Sequence, residues 1–294
     1  MLDTFPNIII SCKDFINIPH DAVKLIRKNN ISVIRNGSNR HWTYEDFKQN
    51  INKNTLGIIA GTEPITKKII DLAPKLKVVC RYGAGSDNVD VNYLKEKNIE
   101  FFTTSTHDLA VAEHALMLLL NGLKNTNSKD NKIGRLLYNN EIGIIGLGLV
   151  GTQLKDMLEL LGANVYIIDK DWKFNYNQKS PEFLLNNCNA ICICCDLNPS
   201  TYRMINENFL ENFKGDLIVN VARAWIVDED VIVKYLKKGK IKYYTDVINK
   251  PELFKDLDNI MITNHIASNT VESRLSMAYE CIEYMIGVLR NEFE

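Results

Sequence analysis

The sequence predicts an α/β protein with two doubly wound parallel-sheet domains. Short apolar runs alternate with helical patterns in the N-terminal third of the chain. A glycine-rich hexapeptide joins an apolar run to a helical pattern near the middle, and later apolar runs end in polar residues. Strands that alternate with helices are typical of parallel sheets covered by helices on both faces. The chain has 294 residues, which is enough to form two separate cores.

The first third of the chain repeats a strand-and-helix rhythm. Apolar runs predict strands at 8–10, 31–34, 57–60 and 76–80, and helical spacing predicts helices at 21–27 and 66–72. This order of elements predicts the sheet of the first domain.

A long helix is predicted from Asp108 to Leu123, and a polar connection follows up to Asn140. The last predicted helix, 270–290, is expected to return to the first domain. We therefore expect a discontinuous first domain, residues 1–107 with 268–294. The second domain would cover residues 108–267.

Composition and charge narrow the class of protein. The chain has 35 basic and 36 acidic residues, which gives no electrostatic reason to expect a nucleic-acid or membrane partner. The first residues lack the basic segment and long apolar core of a signal peptide. The seven cysteines form no framework of the secreted type, so we expect a reducing cytoplasm. Cys192, Cys194 and Cys195 lie in an apolar run that predicts a strand, with Cys192 and Cys194 on one face and Cys195 on the other. A metal site would need further ligands, and no histidine lies near this run, so we expect no metal.

The hexapeptide 146–151 predicts a dinucleotide site. A strand-like run precedes Gly146, a helical pattern follows, and a second strand-like run ends in Asp169, 23 residues after Gly146. In this arrangement the glycines allow a tight turn and close backbone approach to a pyrophosphate. The acid would bind the adenine ribose and repel a 2′-phosphate, so the pattern predicts NAD, although Lys170 leaves NADP open. The predicted contacts here are Gly146, Gly148, Leu149, Val150, Gly151 and Asp169.

Three later apolar runs end in residues that could carry chemistry. The runs beginning at Leu217, Ile241 and Asn259 end in Arg223, Asp246 and His265. Ligands of open α/β sheets bind beyond the carboxyl ends of the strands, so we expect these side chains near the nicotinamide. Arginine can clamp a carboxylate and polarise the adjacent carbonyl, and histidine can donate a proton to a forming alkoxide.

These segments resemble the NAD-dependent D-2-hydroxyacid dehydrogenases. The resemblance extends from about Leu76 to Met277 and is found in several motifs in the expected order. They are the glycine loop within 76–90, Val111–His114, Pro199–Asn206, Asn220–Arg223, Asp246–Val247 and His265–Ala267. The resemblance implies a Rossmann NAD-binding domain inserted in a flavodoxin-like substrate domain, and a homodimer.

The resemblance also implies roles for single residues. Arg223 would orient a 2-hydroxy or 2-oxo acid, and His265 would act as general acid and base. The substrate carboxylate would be bound by Arg81, Gly83, Ala84 and Gly85, together with Arg223. Further cofactor contacts would come from Cys194, Pro199, Val221, Ala222, Asp246 and His265.

One departure from the family bears on catalysis. A family glutamate that contacts the histidine stands directly before a proline, and here that position is Lys250, followed by Pro251 and Glu252. A carboxylate beside His265 would favour the protonated imidazole, whereas an ammonium would oppose it. Our hypothesis is that Glu252 reaches His265 and takes the catalytic part of the missing glutamate. The other interpretation is that Lys250 disables the histidine.

Two further alternatives remain at this point. Trp225, two residues after Arg223, could wall the substrate pocket or pack in the core. The protein could also be an NAD(H)-binding, redox-sensitive interaction module with little or no turnover. Formate-type and phosphite-type dehydrogenases are weaker matches, because the residues around His265 and at Ala84 differ from theirs.

Overall fold

The structure, a computed structural model, describes residues 6–17, 20–126, 132–170 and 178–290. The chain divides into two compact units. Unit 1 comprises residues 1–107 and 270–294, and unit 2 comprises residues 108–269. Each unit is built on one parallel sheet with packed helices, which confirms the predicted fold class.

The sheet of unit 1 has five parallel strands in the order β2-β1-β3-β4-β5. The strands are β1 (Asn7–Ile10), β2 (Ser32–Arg35), β3 (Thr55–Ala60), β4 (Val78–Arg81) and β5 (Glu100–Thr103). The helices are α1 (Asp21–Lys28), α2 (Tyr44–Asn50), α3 (Lys67–Ile70) and α4 (Val91–Glu96), with a 3-10 segment at Lys13–Asn17. The direction of strand order reverses between β1 and β3, as in doubly wound sheets.

The sheet of unit 2 has six parallel strands in the order β11-β10-β9-β8-β6-β7. The strands are β6 (Glu141–Ile145), β7 (Asn164–Ile168), β8 (Ala190–Ile193), β9 (Leu217–Asn220), β10 (Lys242–Thr245) and β11 (Ile260–Ile262). The helices are α5 (Asp108–Lys124), α6 (Leu149–Leu160), α7 (Pro181–Asn187), α8 (Glu207–Asn212) and α9 (Glu229–Lys237). Two 3-10 segments, Ala224–Ile226 and Pro251–Phe254, follow β9 and β10. Here the order reverses between β6 and β8.

The last helix, α10 (Val271–Arg290), belongs to unit 1. Its buried face includes Met277, Cys281 and Met285, which share one core cluster with Ile8 and Val78 of the sheet. Gly57 in β3 makes room for this helix, because a Cβ there would lie 2.8 Å from the Met285 sulfur. The first unit is thus completed by the end of the chain.

In unit 2, α5 and α6 cover one face of the sheet. Leu118 and Leu119 of α5 and Leu154 and Leu158 of α6 are fully buried in one cluster with the strands. Gly122 lies so close to Leu217 of β9 that a Cβ would meet its methyl group at 2.5 Å. Close packing of this kind fixes α5 on the sheet.

The main elements lie where the sequence predicts them, but the cysteine-rich run differs. The strand β8 ends at Ile193, so Cys194 and Cys195 lie beyond it and do not alternate between its two faces. The amide of Cys194 still donates to Ile145, after which the chain turns toward Gly146. The prediction of alternating faces was therefore wrong for this pair.

No helix in the described ranges is long and apolar enough to span a membrane. Within the same ranges, no group of three or more histidine, cysteine or acidic side chains could hold a metal ion.

Two leucines of α6 test how much the core of unit 2 contributes to stability. Leu154 is fully buried and Leu160 is 88% exposed on the same helix. We expect Leu154→Ala to lower the free energy of unfolding by about 2–5 kcal/mol, because it leaves a cavity in the core. Leu160→Ala should change that free energy by less than about 0.5 kcal/mol. Urea denaturation of both variants checks this, and equal losses would contradict the packing described.

Candidate active site

The glycine loop of unit 2 connects β6 to α6 at the edge where the strand order reverses. Gly146 has φ +97°, a conformation that favours glycine. Gly151 lies against the loop itself, since a Cβ there would stand 2.0 Å from the Gly146 carbonyl oxygen. Gly148 and Leu149 are exposed at the start of α6, and a Cβ on Gly148 would meet no atom within 4 Å. The helix N-terminus therefore opens toward a space that an anion could fill.

The acid at the end of β7 faces the same loop. The carboxylate of Asp169 accepts a hydrogen bond from the backbone N–H of Leu147. This contact places a negative charge beside the glycine loop, at the position expected for the residue that binds the adenine ribose.

The chain after β8 forms the other side of the reversal point. The backbone of Cys195 packs on Gly146, where a Cβ would lie 2.6 Å from the Cys195 Cα. Cys194 and Cys195 are partly exposed, and Pro199 is exposed in the turn that follows. Burial raises the pKa of Cys195 to about 11, so this thiol is protonated at neutral pH.

Arg223 follows β9 by three residues in an extended conformation. Val221 and Ala222 before it are buried, and Arg223 is partly exposed. The Asn220 side chain accepts a hydrogen bond from the Ala222 amide at 3.0 Å and donates one to the Arg223 carbonyl at 3.1 Å. The Asn220 side chain thus fixes the backbone of residues 222 and 223, from which the guanidinium of Arg223 extends.

Asp246, after β10, is the centre of the hydrogen bonds around His265. Asp246 is 1% exposed, and its carboxylate accepts hydrogen bonds from the Ile266 N–H at 2.9 Å and the Ala267 N–H at 2.8 Å. The hydroxyl of Thr263 donates to the same carboxylate. The carbonyl of Asp246 accepts a further bond from the His265 N–H at 2.9 Å. The predicted contact of Asp246 with the nicotinamide stays a prediction.

His265 is exposed and has φ +53°. This left-handed conformation costs a non-glycine residue about 1–2 kcal/mol. The three amide hydrogen bonds to Asp246, from residues 265–267, hold the backbone there. Strain of this kind is typical of functional positions.

The loop that carries Lys250 is tied to α9. The carboxylate of Glu229 is buried and accepts hydrogen bonds from the Asn249 and Lys250 amides, both at 2.8 Å. Burial raises the pKa of Glu229, and the two amides oppose that shift. The ammonium of Lys250 pairs with Asp230 at 2.6 Å, which raises the lysine pKa.

Glu252 is exposed in the 3-10 segment Pro251–Phe254. This segment begins directly after Lys250, whose amide donates a hydrogen bond to Glu229. The hypothesis that Glu252 reaches His265 stays a prediction.

Trp225 lies on the surface of unit 2. It is 42% exposed, and its ring stacks on that of Tyr202 at a centroid distance of 6.1 Å. The interpretation that Trp225 packs in the core is wrong.

In unit 1, the predicted substrate loop follows β4. Gly83 has φ +135°, and a Cβ there would lie 2.3 Å from the Arg81 guanidinium. Arg81 is buried and donates to the Tyr82 carbonyl and, at 3.3 Å, to Asn88. The Gly83 amide donates to the Thr104 hydroxyl at 2.9 Å. Ala84 is exposed and Gly85 is partly exposed.

Comparisons with known proteins agree with this geometry. Residues 118–267 match the model of the D-isomer specific 2-hydroxyacid dehydrogenase NAD binding domain, which is half of the chain. The chain belongs to this family. Its cofactor is NAD, and membership makes it an oxidoreductase of the 2-hydroxyacid dehydrogenase class.

Relatives and solved structures extend the likeness beyond the matched domain. A Staphylococcus saprophyticus protein with a 2-hydroxyacid dehydrogenase name is 30% identical over 84% of this chain and 86% of its own. A glyoxylate reductase from Pyrococcus horikoshii is 29% identical over 79% and 78%. The NAD+-bound 3-phosphoglycerate dehydrogenase of Entamoeba histolytica is 24% identical, with a TM-score of 0.86 over 98% of this chain and 97% of the other. This last likeness shows the shared fold.

Sequence reasoning missed two residues that shape the site. Thr263 stands in an apolar run and reads as a strand residue, and no pattern indicates that its hydroxyl bonds Asp246. Glu229 reads as an ordinary acid in the first turn of a helix, where acids are common. Its burial is the only unusual property, and burial is not visible in the sequence.

Substitutions at two glycines separate folding from cofactor binding. Gly151→Ala would place a methyl group on the Gly146 carbonyl, so we expect loss of both stability and NADH binding. Gly148→Ala meets no protein atom, so we expect an unchanged Tm and an NADH Kd raised about tenfold or more, because the methyl group occupies the space for the pyrophosphate. Thermal unfolding and NADH fluorescence titration check this, and unchanged affinity in Gly148→Ala would contradict the assignment.

Proposed function

We propose that the protein transfers a hydride between NAD(H) and a small D-2-hydroxy or 2-oxo acid. The observation that carries the proposal is the placement of Arg223 and His265 beyond the carboxyl ends of β9 and β11, two strands on either side of β10. The glycine loop opens at the same edge of this parallel sheet. The guanidinium of Arg223 and the imidazole of His265 thus lie at the same edge of the sheet as the proposed NAD site.

The residues at this edge fit the proposed chemistry. The bound NAD(H) supplies or accepts the hydride at the substrate carbon. Arg223 would donate hydrogen bonds to the substrate carboxylate and carbonyl oxygen, which favours charge build-up on that oxygen. His265 would give its proton to the oxygen during reduction and remove it during oxidation.

The amides of the loop in unit 1 would hold the substrate carboxylate. Because the Gly83 amide donates to Thr104, this role falls to Ala84 and Gly85. The guanidinium of Arg81 stabilises the loop by donating hydrogen bonds to the Tyr82 carbonyl and the Asn88 side chain. Its own contact with a substrate stays a prediction.

A homodimer is also proposed, and unit 2 offers an apolar surface for it. Leu116, Met117 and Leu120 line a shallow groove along α5. Ile133, Leu136 and Tyr138, which follow that helix, are strongly exposed. Exposed apolar groups of this type are typical of subunit contacts.

The first experiment is NADH oxidation measured by absorbance with glyoxylate, pyruvate, hydroxypyruvate, phosphohydroxypyruvate and 2-oxoglutarate. We expect turnover with at least one acid, and a fall of about 100-fold or more in kcat for His265→Gln, because the proton carrier is lost. NADH binding, followed by fluorescence, should remain detectable in the variant, so that the loss of turnover is not a loss of cofactor. NADH binding without turnover of any acid by the parent protein would favour the cofactor-sensing alternative.

Cofactor choice tests the charge at Asp169. The substitution Asp169→Asn removes the repulsion of a 2′-phosphate and the charged acceptor of the ribose hydroxyls. We expect the ratio of kcat/KM for NADPH to that for NADH to rise about tenfold or more. An unchanged ratio would show that Asp169 does not face the ribose. The exchange Asp156→Asn, on the exposed side of α6, is the matched control.

The part proposed for Glu252 can be tested at its carboxylate. If this group reaches His265, Glu252→Gln should move the histidine limb of the kcat profile to lower pH, because a nearby carboxylate favours the protonated imidazole. A pH–rate profile from pH 5 to 9 measures this. A profile identical to that of the parent would rule out this part for Glu252.

A further inference from the structure

A second histidine of unit 2 lies behind the loop that carries His265. His114 is in α5, and its side chain is 12% exposed. Its Nε2 lies 2.9 Å from the Thr263 hydroxyl oxygen and 3.5 Å from Asp246 Oδ1. None of the roles described above uses this residue.

The direction of the hydrogen bonds follows from the number of protons available. The hydroxyl of Thr263 has one proton, and it is donated to Asp246 Oδ1. The oxygen of Thr263 must therefore accept the bond from His114, which requires a proton on Nε2. A directed chain results, from His114 through Thr263 to the carboxylate of Asp246.

The same carboxylate holds the backbone beside His265. Oδ1 of Asp246 accepts both the Thr263 hydroxyl and the Ile266 amide, and Oδ2 accepts the Ala267 amide. The Thr263 bond fixes the rotation of the carboxylate, and the carboxylate fixes the two amides that follow the left-handed His265. Bonds in such a chain strengthen one another in a buried setting.

We propose that His114 is a positioning residue for His265 and acts through Thr263 and Asp246. The proposal rests on the proposed function, in which His265 carries the proton. A misplacement of the imidazole by a fraction of an ångström lowers the rate of proton transfer without weakening cofactor binding. His114 belongs to α5, which is distant in the sequence, and it thus helps to hold the imidazole of His265 in position.

Three variants test the chain of hydrogen bonds. His114→Leu removes the N–H donor, Thr263→Val removes the bridging hydroxyl at nearly constant shape, and His114→Gln keeps an N–H that can reach Thr263. We expect kcat to fall about tenfold in the first two, with an NADH Kd within about twofold of the parent. His114→Gln should recover kcat to within about threefold of the parent, which a purely space-filling role would not predict.

The double variant His114→Leu with Thr263→Val distinguishes one chain from two separate effects. If His114 acts through Thr263, the double variant should lose no more than about tenfold, because either change already breaks the chain. Losses that multiply to about 100-fold would overturn the proposal. Equal activity of His114→Leu and the parent would overturn it as well.

A control for general destabilisation is available in unit 1. Thr55 is fully buried, and its hydroxyl donates to Asn7 at 2.9 Å. Thr55→Val should lower Tm but leave kcat unchanged. A fall in kcat that follows the loss of Tm equally in Thr55→Val and Thr263→Val would refute a positioning role.

Amide hydrogen exchange at Ile266 and Ala267 gives a readout that needs no turnover. We expect faster exchange at both amides in His114→Leu and Thr263→Val, because the carboxylate that accepts them is released. Unchanged exchange would overturn the proposal even in a fully active enzyme. If the parent protein turns over no 2-oxo acid, the proposed function fails, whereas the exchange rates still decide whether His114 holds this loop.

Discussion

The contact between Gly151 and the Gly146 carbonyl sets the geometry on which the cofactor edge of unit 2 depends. No side chain fits at residue 151, so α6 begins directly against the loop that leaves β6. The first turn of α6 is thereby aimed past the end of the sheet, with its unpaired amides facing outward. The acid after β7 and the chain after β8 are placed around the same point, because both strands pair with β6. The close contact of Gly151 with Gly146 thus fixes the first turn of α6, and the pairing of β7 and β8 with β6 brings the residues after those strands to the same place.

A second constraint acts at the ends of β10 and β11. Asp246 is buried, and burial of a carboxylate is costly unless hydrogen bonds satisfy it. The bonds come from Thr263, Ile266 and Ala267, and the same bonds hold His265 in a conformation that it would not adopt alone. These hydrogen bonds therefore offset both the cost of burying Asp246 and the backbone strain at His265.

The fold could be predicted because its signals are local. Apolar runs, helical spacing and the glycine hexapeptide each depend on neighbouring residues, so the sheets and the long helices were found within a few residues of their bounds. The strand β5 was missed because only two of its four residues are apolar, and α4 because six residues show too little helical spacing. The strand-end positions of Arg223, Asp246 and His265 were also correct, because parallel strands bring their carboxyl ends to one edge.

The finer parts of the site depend on contacts between segments that are distant in the sequence. The position of Lys250 suggested a disturbed histidine, yet its ammonium pairs with Asp230 and its amide bonds Glu229, 21 residues earlier. Arg81 is predicted to bind the substrate, and the sequence does not show that its guanidinium also donates to the Tyr82 carbonyl and the Asn88 side chain. A single sequence shows residue types, and it does not show which side chain is left pointing toward a ligand. Contacts of this kind need the folded chain.

The path of the chain also has a consequence for how the molecule is made. A ribosome releases residues 1–107 long before α10, whose Met277, Cys281 and Met285 cover the sheet of unit 1. Unit 2 is continuous and has all its elements once residue 269 has emerged. During synthesis, part of the apolar face of the earlier sheet stays uncovered until α10 emerges, although α1 already packs on it. Unit 2 can therefore be completed before unit 1, even though most of unit 1 is translated first.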